Sequence, residues 1–443
     1  MERINTAPRR DRYLVVAAVT ASIVLLAFEL SELASYWPDT PLGTDFLPFR
    51  TGASLIREGA GPALYDMGVQ QAFQHRFLNG VTTLEAARVA NWLDPYHNPP
   101  PLALLLVPLT WLSIPSGYLL WWGVSLIAFL AAIALPLRGS PHARTCTGLM
   151  LTFGAVADNL VWGQVDALFL LALSLGLLAM TRKRPFLGGA LLGFLWLKPQ
   201  YAVLFPIVFL VKGRWRELSG MAVAGVVVAG LSLALVGLEG VLRYLELLRR
   251  IGAFYPPVSS MILPEIMVNW RGLLMNLWPG LPGAMGSILV MVLGAGTALI
   301  SLLAWRGEWN PSSPCFARQV LVTILATLIA IPHSHFHGLV LLLAPVGLAV
   351  ARPMSGTALS SSWRPLLVVG YLLAFILSPF EHQRWLTVPF FLTAMVILVA
   401  QCWGTVRTGA TALPVAWFAS AFPATSSRDA SVIGERDAEG FVK

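Results

Sequence analysis

The strongest constraint in this sequence is a series of long apolar stretches separated by short connections rich in arginine and lysine. A run of roughly 20 apolar residues is long enough to cross the hydrocarbon core of a bilayer as a helix. Only 12% of the 443 residues are charged and 56% are hydrophobic, whereas a soluble globular chain carries about 25% charged residues. The sequence therefore predicts an all-α polytopic membrane protein, with the lipid bilayer as its first partner.

The formal net charge of +8 does not indicate a nucleic-acid-binding protein. The basic residues stand in twos and threes between apolar runs, and not in a stripe interleaved with aromatic residues. Such basic connections are typical of the cytoplasmic side of a membrane. The three cysteines, Cys146, Cys315 and Cys402, are far apart and predict neither a disulfide framework nor a thiolate metal site.

These rules predict about twelve transmembrane helices, with both termini in the cytoplasm and every inside connection basic. The predicted spans are 13–33, 116–137, 145–161, 164–181, 186–197, 199–211, 217–238, 283–305, 317–332, 337–351, 364–379 and 385–404. We expect the first run to stay attached as a span, because it is longer than a signal-peptide core. Residues 1–421 form one membrane domain in this prediction, and 422–443 form a disordered cytoplasmic tail.

Two long connections, 34–115 and 239–282, lie on the outer side in this topology and contain tryptophans typical of membrane interfaces. The apolar run 101–113 is ambiguous, since counting it as a span would place the basic triplet 182–184 outside. We therefore predict that it lies along the outer interface as part of a long first outer loop. Six of the seven histidines are also outside, so the functional cavity is expected to open outward.

Asp45 lies just past the first span, at the start of a predicted helix. A carboxylate at a membrane edge beside apolar groups has its ionised form disfavoured, which makes it a stronger general base. Asp45 is therefore a candidate catalytic base. The alternative is that it only caps the following helix, as aspartate often does.

Polar residues between two apolar spans are candidates for a substrate pocket. Asn159, Gln164 and Asp166 stand in such a position, where polar groups are costly unless they are satisfied. They either hydrogen-bond neighbouring helices or line a pocket for a hydroxyl-rich substrate. Tyr65 and His97, in the first outer loop, are further candidates for that pocket.

Lys198 is placed between two short apolar stretches and directly before Pro199, which disfavours helix at the lysine. An ammonium near the bilayer centre costs about 2.5–3.5 kcal/mol on insertion scales. An anionic partner such as a phosphate would offset that cost. The alternative is that the side chain snorkels to the outer headgroups.

A late cluster of histidines, 333–337, lies between two spans at the outer side. Imidazoles can donate to a phosphate or ligate a metal. The cluster contains no carboxylate and does not have the HExxH spacing, so we expect phosphate contact or a structural role, and no metal. Arg271, in the second outer loop, is either another phosphate ligand, because its fork fits phosphate oxygens, or a solvated residue.

Several short elements follow one another in a fixed order. They are Asp45-Phe46, 61–66, Asn98-Pro99-Pro100, 162–166, Lys198-Pro199-Gln200 and a late histidine before an apolar span. This order resembles glycosyltransferase family 87, whose members are membrane enzymes of the GT-C fold. The best-known activity of that family is α-mannosyl transfer from a polyprenyl-phosphate carrier to a glycolipid at the outer face.

The resemblance implies that Asp45 is the catalytic base, that Lys198 lies near the carrier phosphate and that His337 matches the family's late histidine. From their residue types, Arg271 and His335 are further candidates for that phosphate. The expected reaction requires no cofactor beyond the donor substrate and no metal. The expected protein is a hexosyltransferase, most closely a mannosyltransferase, of a bacterial inner membrane. It would glycosylate a glycolipid or glycan with inversion, in an active site that faces outside.

Two other functions fit the same sequence. A transporter or flippase of a lipid-linked substrate would use a broken helix such as the one predicted at Lys198-Pro199. A non-catalytic membrane protein with the same fold is the third hypothesis, and the presence of Asp45 argues against it.

Overall fold

The computed structural model describes five long segments of the chain and six isolated positions between 20 and 34. The segments are 44–78, 95–140, 143–255, 263–351 and 381–407. Fifteen α-helices occur in these residues, and no β-strand occurs in them apart from one isolated bridge. The helices are α1 (Phe46–Arg57), α2 (Met67–Leu78), α3 (Pro100–Leu106), α4 (Ile114–Ala134), α5 (Ala143–Leu151), α6 (Gly154–Val161), α7 (Asp166–Thr181), α8 (Pro185–Leu192), α9 (Leu204–Val211), α10 (Trp215–Gly252), α11 (Trp270–Leu277), α12 (Gly283–Leu303), α13 (Pro314–Ala330), α14 (Leu343–Ala351) and α15 (Thr387–Arg407).

Four described helices are long and apolar enough to cross a membrane, namely α4, α10, α12 and the segment Gln383–Trp403 that includes most of α15. Only 11% of an apolar stretch of 18 residues in α10 is buried inside the protein. Large exposed apolar surfaces need another apolar partner, and several shorter apolar helices accompany these four. The structure thus supports a multi-pass membrane protein. The predicted span 13–33 is described only at isolated positions, and the predicted span 364–379 and tail 422–443 lie outside the described residues, so the total of twelve stays a prediction.

Two predicted spans differ from the helices that form. The predicted span 145–161 consists of α5 and α6, which separate at Thr152 and Phe153. Helix α10 continues to Gly252, so the predicted outer loop 239–282 begins as a helix. Hydropathy marked the end of the apolar run and not the end of the helix. A kink at Gly237, whose φ of 69° suits glycine, separates the apolar first part of α10 from a charged second part.

Helices α8 and α10 pack with their backbones in direct contact. A Cβ at Gly189 would lie 1.9 Å from the carbonyl oxygen of Glu217, and a Cβ at Gly220 would lie 2.1 Å from that of Phe186. Small residues at such positions let two membrane helices approach closely. This contact fixes α8. A 3₁₀ segment, Gly193–Leu197, follows α8, and the helical conformation is interrupted at Lys198. This interruption is called the break at Lys198.

Helix α1 packs on the segment that begins at Pro100. This segment consists of α3 and a 3₁₀ turn, Val107–Trp111, and it is too short to span a bilayer. The buried Arg50 of α1 donates to the carbonyls of Leu109, Thr110 and Leu112. These contacts fix the start of α1, where Asp45 lies.

Candidate active site

A single cavity lies where the start of α1, the α6–α7 junction, the break at Lys198 and the segment 333–337 meet. The space inside it that is accessible to water is about 100 Å³. Its lining includes two carboxylates, two permanent cations and four imidazoles. These are Asp45, Asp158, Lys198, Arg384, His97, His333, His335 and His337.

Asp45 precedes the first residue of α1, but its side chain makes no capping hydrogen bond. The alternative that it merely caps this helix is therefore wrong. Its Oδ2 instead accepts a hydrogen bond from Gln164 Nε2 at 2.5 Å. Burial raises the pKa of the Asp45 carboxyl above its ordinary value, and the hydrogen bond from Gln164 opposes that rise.

The contact between Asp45 and Gln164 depends on a glycine. Gly163 follows α6 with φ of 65°, a left-handed conformation that glycine adopts without a Cβ clash. A Cβ at this position would also lie 2.8 Å from the Cβ of Phe46. Gly163 therefore lets the α6–α7 junction approach α1 closely enough for Gln164 to reach Asp45.

Lys198 is 5% exposed and faces inward, so the alternative that it snorkels to the headgroups is wrong. Its ammonium donates to Asp166 Oδ1 at 2.8 Å and to Gln164 Oε1 at 3.3 Å. The backbone at Lys198 is not helical, with φ of −139° and ψ of 76°, as expected for a residue before a proline, which disfavours the helical region. The anionic partner inside the protein is thus a carboxylate.

Asp166 is fully buried at the start of α7, where the helix dipole favours a negative charge. Besides Lys198, it accepts a hydrogen bond from the Tyr201 hydroxyl at 3.1 Å. Its Oδ2 lies 2.5 Å from His337 Nδ1. Because a carboxylate only accepts hydrogen bonds, the proton of this contact belongs to Nδ1. The other ring nitrogen of His337, Nε2, is then the one that can contact a substrate.

These contacts form one continuous chain of hydrogen bonds. It runs from Asp45 through Gln164, Lys198 and Asp166 to His337. The sequence placed Asp45, Lys198 and His337 in separate motifs. The structure brings these three residues together in one cavity. Such a connected polar network fixes the relative positions of its members.

Arg384 is a cavity residue that the sequence analysis missed. Its Nη1 lies 2.7 Å from Asp158 Oδ1, and both residues are almost fully buried. Its guanidinium also lies 4.6 Å from the centre of the Phe336 ring. The available signal was the polar run 381–384 directly before an apolar span. With Asp158 paired to Arg384 and Asp166 paired to Lys198, Asp45 is the carboxylate that makes no ion pair with a described residue.

Four predicted site residues lie apart from the cavity lining. They are Asp166, which contacts the lining residues Lys198 and His337, and Tyr65, Asn159 and Arg271. Tyr65 donates its hydroxyl to the carbonyl of Asn98 at 2.7 Å and so supports a lining residue. Asn159 is buried behind the α6–α7 junction, and its carbonyl accepts from the backbone amide of Gln164. Arg271 is fully buried, and its guanidinium donates to backbone carbonyls, so the alternative of a solvated Arg271 is wrong.

The described residues contain no group of three histidine, cysteine, aspartate or glutamate side chains arranged to hold a metal ion. The segment 333–337 is also not a helical face. His335 pairs with Met267 in an isolated antiparallel bridge, and a 3₁₀ segment, Phe336–Leu342, follows.

A family model for glycosyltransferase family 87 matches residues 96–332, which is more than half of the chain. The chain belongs to glycosyltransferase family 87. The resemblance drawn from its short motifs is thereby confirmed, and membership in this family makes the protein a membrane glycosyltransferase. No curated protein and no solved structure matches the chain significantly.

The family-87 match covers only part of the cavity. The α6–α7 junction and Lys198 lie within residues 96–332, whereas Asp45, His337 and Arg384 lie outside them. The roles proposed for these three residues therefore rest on the geometry of the cavity.

Proposed function

We propose that this family-87 protein transfers a hexose, specifically mannose, from a polyprenyl-phosphate carrier to an acceptor hydroxyl of a glycolipid or glycan. The observation that supports the proposal is the hydrogen-bonded chain from Asp45 to His337. It brings together, in one cavity, basic side chains and a carboxylate that makes no ion pair with a described residue. Transfer from a phosphate needs a base for the nucleophile and positive charge near the leaving group.

Asp45 is the general base of the proposed reaction. It takes the proton of the acceptor hydroxyl while the hydroxyl oxygen forms a bond to C1 of the hexose. The bond between C1 and the carrier phosphate breaks on the opposite face of the ring, so the anomeric configuration inverts. The hydrogen bond from Gln164 to Oδ2 holds the carboxylate in position and leaves Oδ1 for the acceptor hydroxyl.

Lys198 and His337 stabilise the carrier phosphate as it leaves with the electron pair of the broken bond. With Nδ1–H directed at Asp166, a neutral His337 would present a lone pair from Nε2. Only the imidazolium form donates from Nε2 to a phosphate oxygen, so this contact with the phosphate requires a proton on both ring nitrogens of His337. Asp166 contacts both Lys198 and His337, and it acts as the positioning residue of this pair.

We place the cavity on the outer side of a bacterial inner membrane, as the distribution of basic connections predicts. The test is cysteine labelling from outside in a variant that lacks the native cysteines. Reagents should reach a cysteine at Glu58 or Trp278, in the two predicted outer loops, but not one at Lys183. The reverse pattern would overturn this orientation.

Transfer and transport are separated by reconstitution. The purified protein in vesicles, supplied with labelled polyprenyl-phosphate mannose and a glycolipid acceptor, should yield a labelled glycolipid. Movement of the intact donor across the bilayer without a new glycosidic bond would instead identify a flippase. The break at Lys198 suits either activity, whereas family membership favours transfer.

A further inference from the structure

Four imidazoles follow one another along the cavity. The ring centres are 5.2 Å apart for His97 and His333, 4.7 Å for His333 and His335, and 5.8 Å for His335 and His337. His337 differs from the others because its Nδ1 contacts Asp166. The other three make no contact with a carboxylate among the described residues.

Several polar atoms in and beside this row have no hydrogen-bond partner among the described residues. His333 Nδ1, His335 Nε2 and the Ser334 hydroxyl are buried and make no hydrogen bond within the described part of the chain. All three residues line the cavity, and Ser334 is only 2% exposed. Buried polar groups in native proteins almost always have a partner, so atoms like these indicate a place for a polar ligand.

The segment that carries these atoms is held in place by its backbone. Val268 donates its amide to the carbonyl of Ser334 at 3.0 Å, and Met267 pairs with His335 in the isolated bridge. Asn269 adds a side-chain donor to the same Ser334 carbonyl. The unpartnered atoms are therefore presented from a fixed backbone, as a binding surface requires.

His97, His333 and His335 favour the neutral form of the imidazole. Burial lowers the pKa of His97 to about 4, and it lowers those of His333 and His335 well below their ordinary value, with neighbouring positive groups adding to the effect. A neutral imidazole offers one donor and one acceptor, which is also what a hydroxyl offers. A phosphate oxygen only accepts hydrogen bonds, so it can use the N–H of a neutral imidazole but leaves the acceptor nitrogen without a partner.

We propose that His97, His333, Ser334 and His335 form a wall that hydrogen-bonds the hydroxyls of a sugar. The sugar is either the hexose on the donor or the terminal sugar of the acceptor, since both present the same hydroxyl chemistry. This inference rests on the proposed function for the identity of its ligand as a sugar. It replaces the expected phosphate contact of His335 and leaves the phosphate to Lys198 and His337.

Equilibrium binding of three ligands to the purified full-length protein tests the proposal. They are bare polyprenyl phosphate, polyprenyl-phosphate mannose and octyl mannoside. Ser334→Ala and His335→Phe each remove hydrogen bonds from the wall, so each should weaken a mannose ligand about two- to tenfold. Bare polyprenyl phosphate should bind as tightly as it does to the parent. Ser219→Ala and His75→Phe make the same changes at exposed positions outside the cavity and should leave all three affinities unchanged.

The pattern of losses identifies the sugar. Weaker binding of polyprenyl-phosphate mannose alone assigns the wall to the donor hexose, and weaker binding of octyl mannoside assigns it to the acceptor. An equal loss for bare polyprenyl phosphate, or no loss for either mannose ligand, would overturn the proposal. If His335→Phe does not fold, Ser334→Ala decides alone. Binding needs no turnover, so a parent protein that binds mannose ligands without transferring sugar would overturn the proposed function and not the wall.

Discussion

Lys198 and Arg271 are both buried cations near outer loops, and the sequence assigned both to the carrier phosphate. Their surroundings differ completely. Lys198 contacts the side chains of Asp166 and Gln164 and lines the cavity. Within the described part of the chain, Arg271 donates only to backbone carbonyls, those of Ile251, Ala253, Phe254 and Pro332.

This difference follows from the end of a helix. The last carbonyls of α10 have no helical partner, and a nearby arginine can satisfy such groups. Arg271 therefore fixes the turn after α10, and it also ties that turn to the chain just before His333. A cation with side-chain partners in a cavity can respond to a substrate, whereas a cation that holds backbone carbonyls supports the fold.

The largest expected effect is the loss of transfer in Lys198→Met, which should far exceed the loss in Arg271→Met. Loss of a group that stabilises leaving-group charge typically costs about 10²–10³ in turnover, and donor binding should weaken as well because the carrier phosphate is present before reaction. The measurement is transfer per folded molecule at saturating acceptor. Arg271→Met, corrected in the same way, should keep near-parental transfer. Equal losses in the two variants would contradict the distinction.

The Lys198 variant also leaves Asp166 with less positive charge around it, and breaking a buried pair is destabilising by about 3–5 kcal/mol. Adding Asp166→Asn removes the remaining charge of the pair. The double variant should therefore recover much of the lost thermal stability without recovering transfer. Recovery of both would mean that Lys198 acts only through stability.

Arg271→Met should show its effect in stability. Removal of the guanidinium leaves several buried carbonyls without donors, at about 1–3 kcal/mol for each group that stays unsatisfied. The thermal unfolding temperature of the purified protein should fall clearly below that of the parent. An unchanged unfolding temperature together with weakened binding of bare polyprenyl phosphate would restore the phosphate role.

The sequence predicted the apolar character of the chain, the break at Lys198 and the family, because these depend on local composition and short motifs. It could not predict partners that are distant along the chain. Asp166 and His337 are 171 positions apart, and nothing local shows that the lysine charge is neutralised inside the protein. Arg384 was missed for the same reason, since only the fold brings it to Asp158.

The smallest expected effect concerns Gln164, which links Asp45 to Lys198. A general base works in its ionised form, so transfer should fall as the pH drops through the pKa of Asp45. Gln164→Met removes the hydrogen bond that opposes the burial-induced rise of this pKa. The acid limb of the pH–rate profile should then move to higher pH. Gln71→Met, at an exposed position of α2, is the control, and an unmoved acid limb in the Gln164 variant would count against Asp45 as the base.

The most direct test of the account is transfer of labelled mannose by Asp45→Asn. The amide keeps the size of the side chain but cannot take the acceptor proton, and general-base removal typically costs about 10²–10⁴ in rate. Asp66→Asn is the matched control, because the Asp66 carboxylate is partly exposed, lies outside the cavity and accepts hydrogen bonds from the amides of Gly68 and Val69. We predict that Asp45→Asn abolishes transfer while its unfolding temperature and donor affinity stay near those of the parent, and that Asp66→Asn stays active. A folded Asp45→Asn protein that transfers mannose at close to the parental rate would contradict the proposed mechanism.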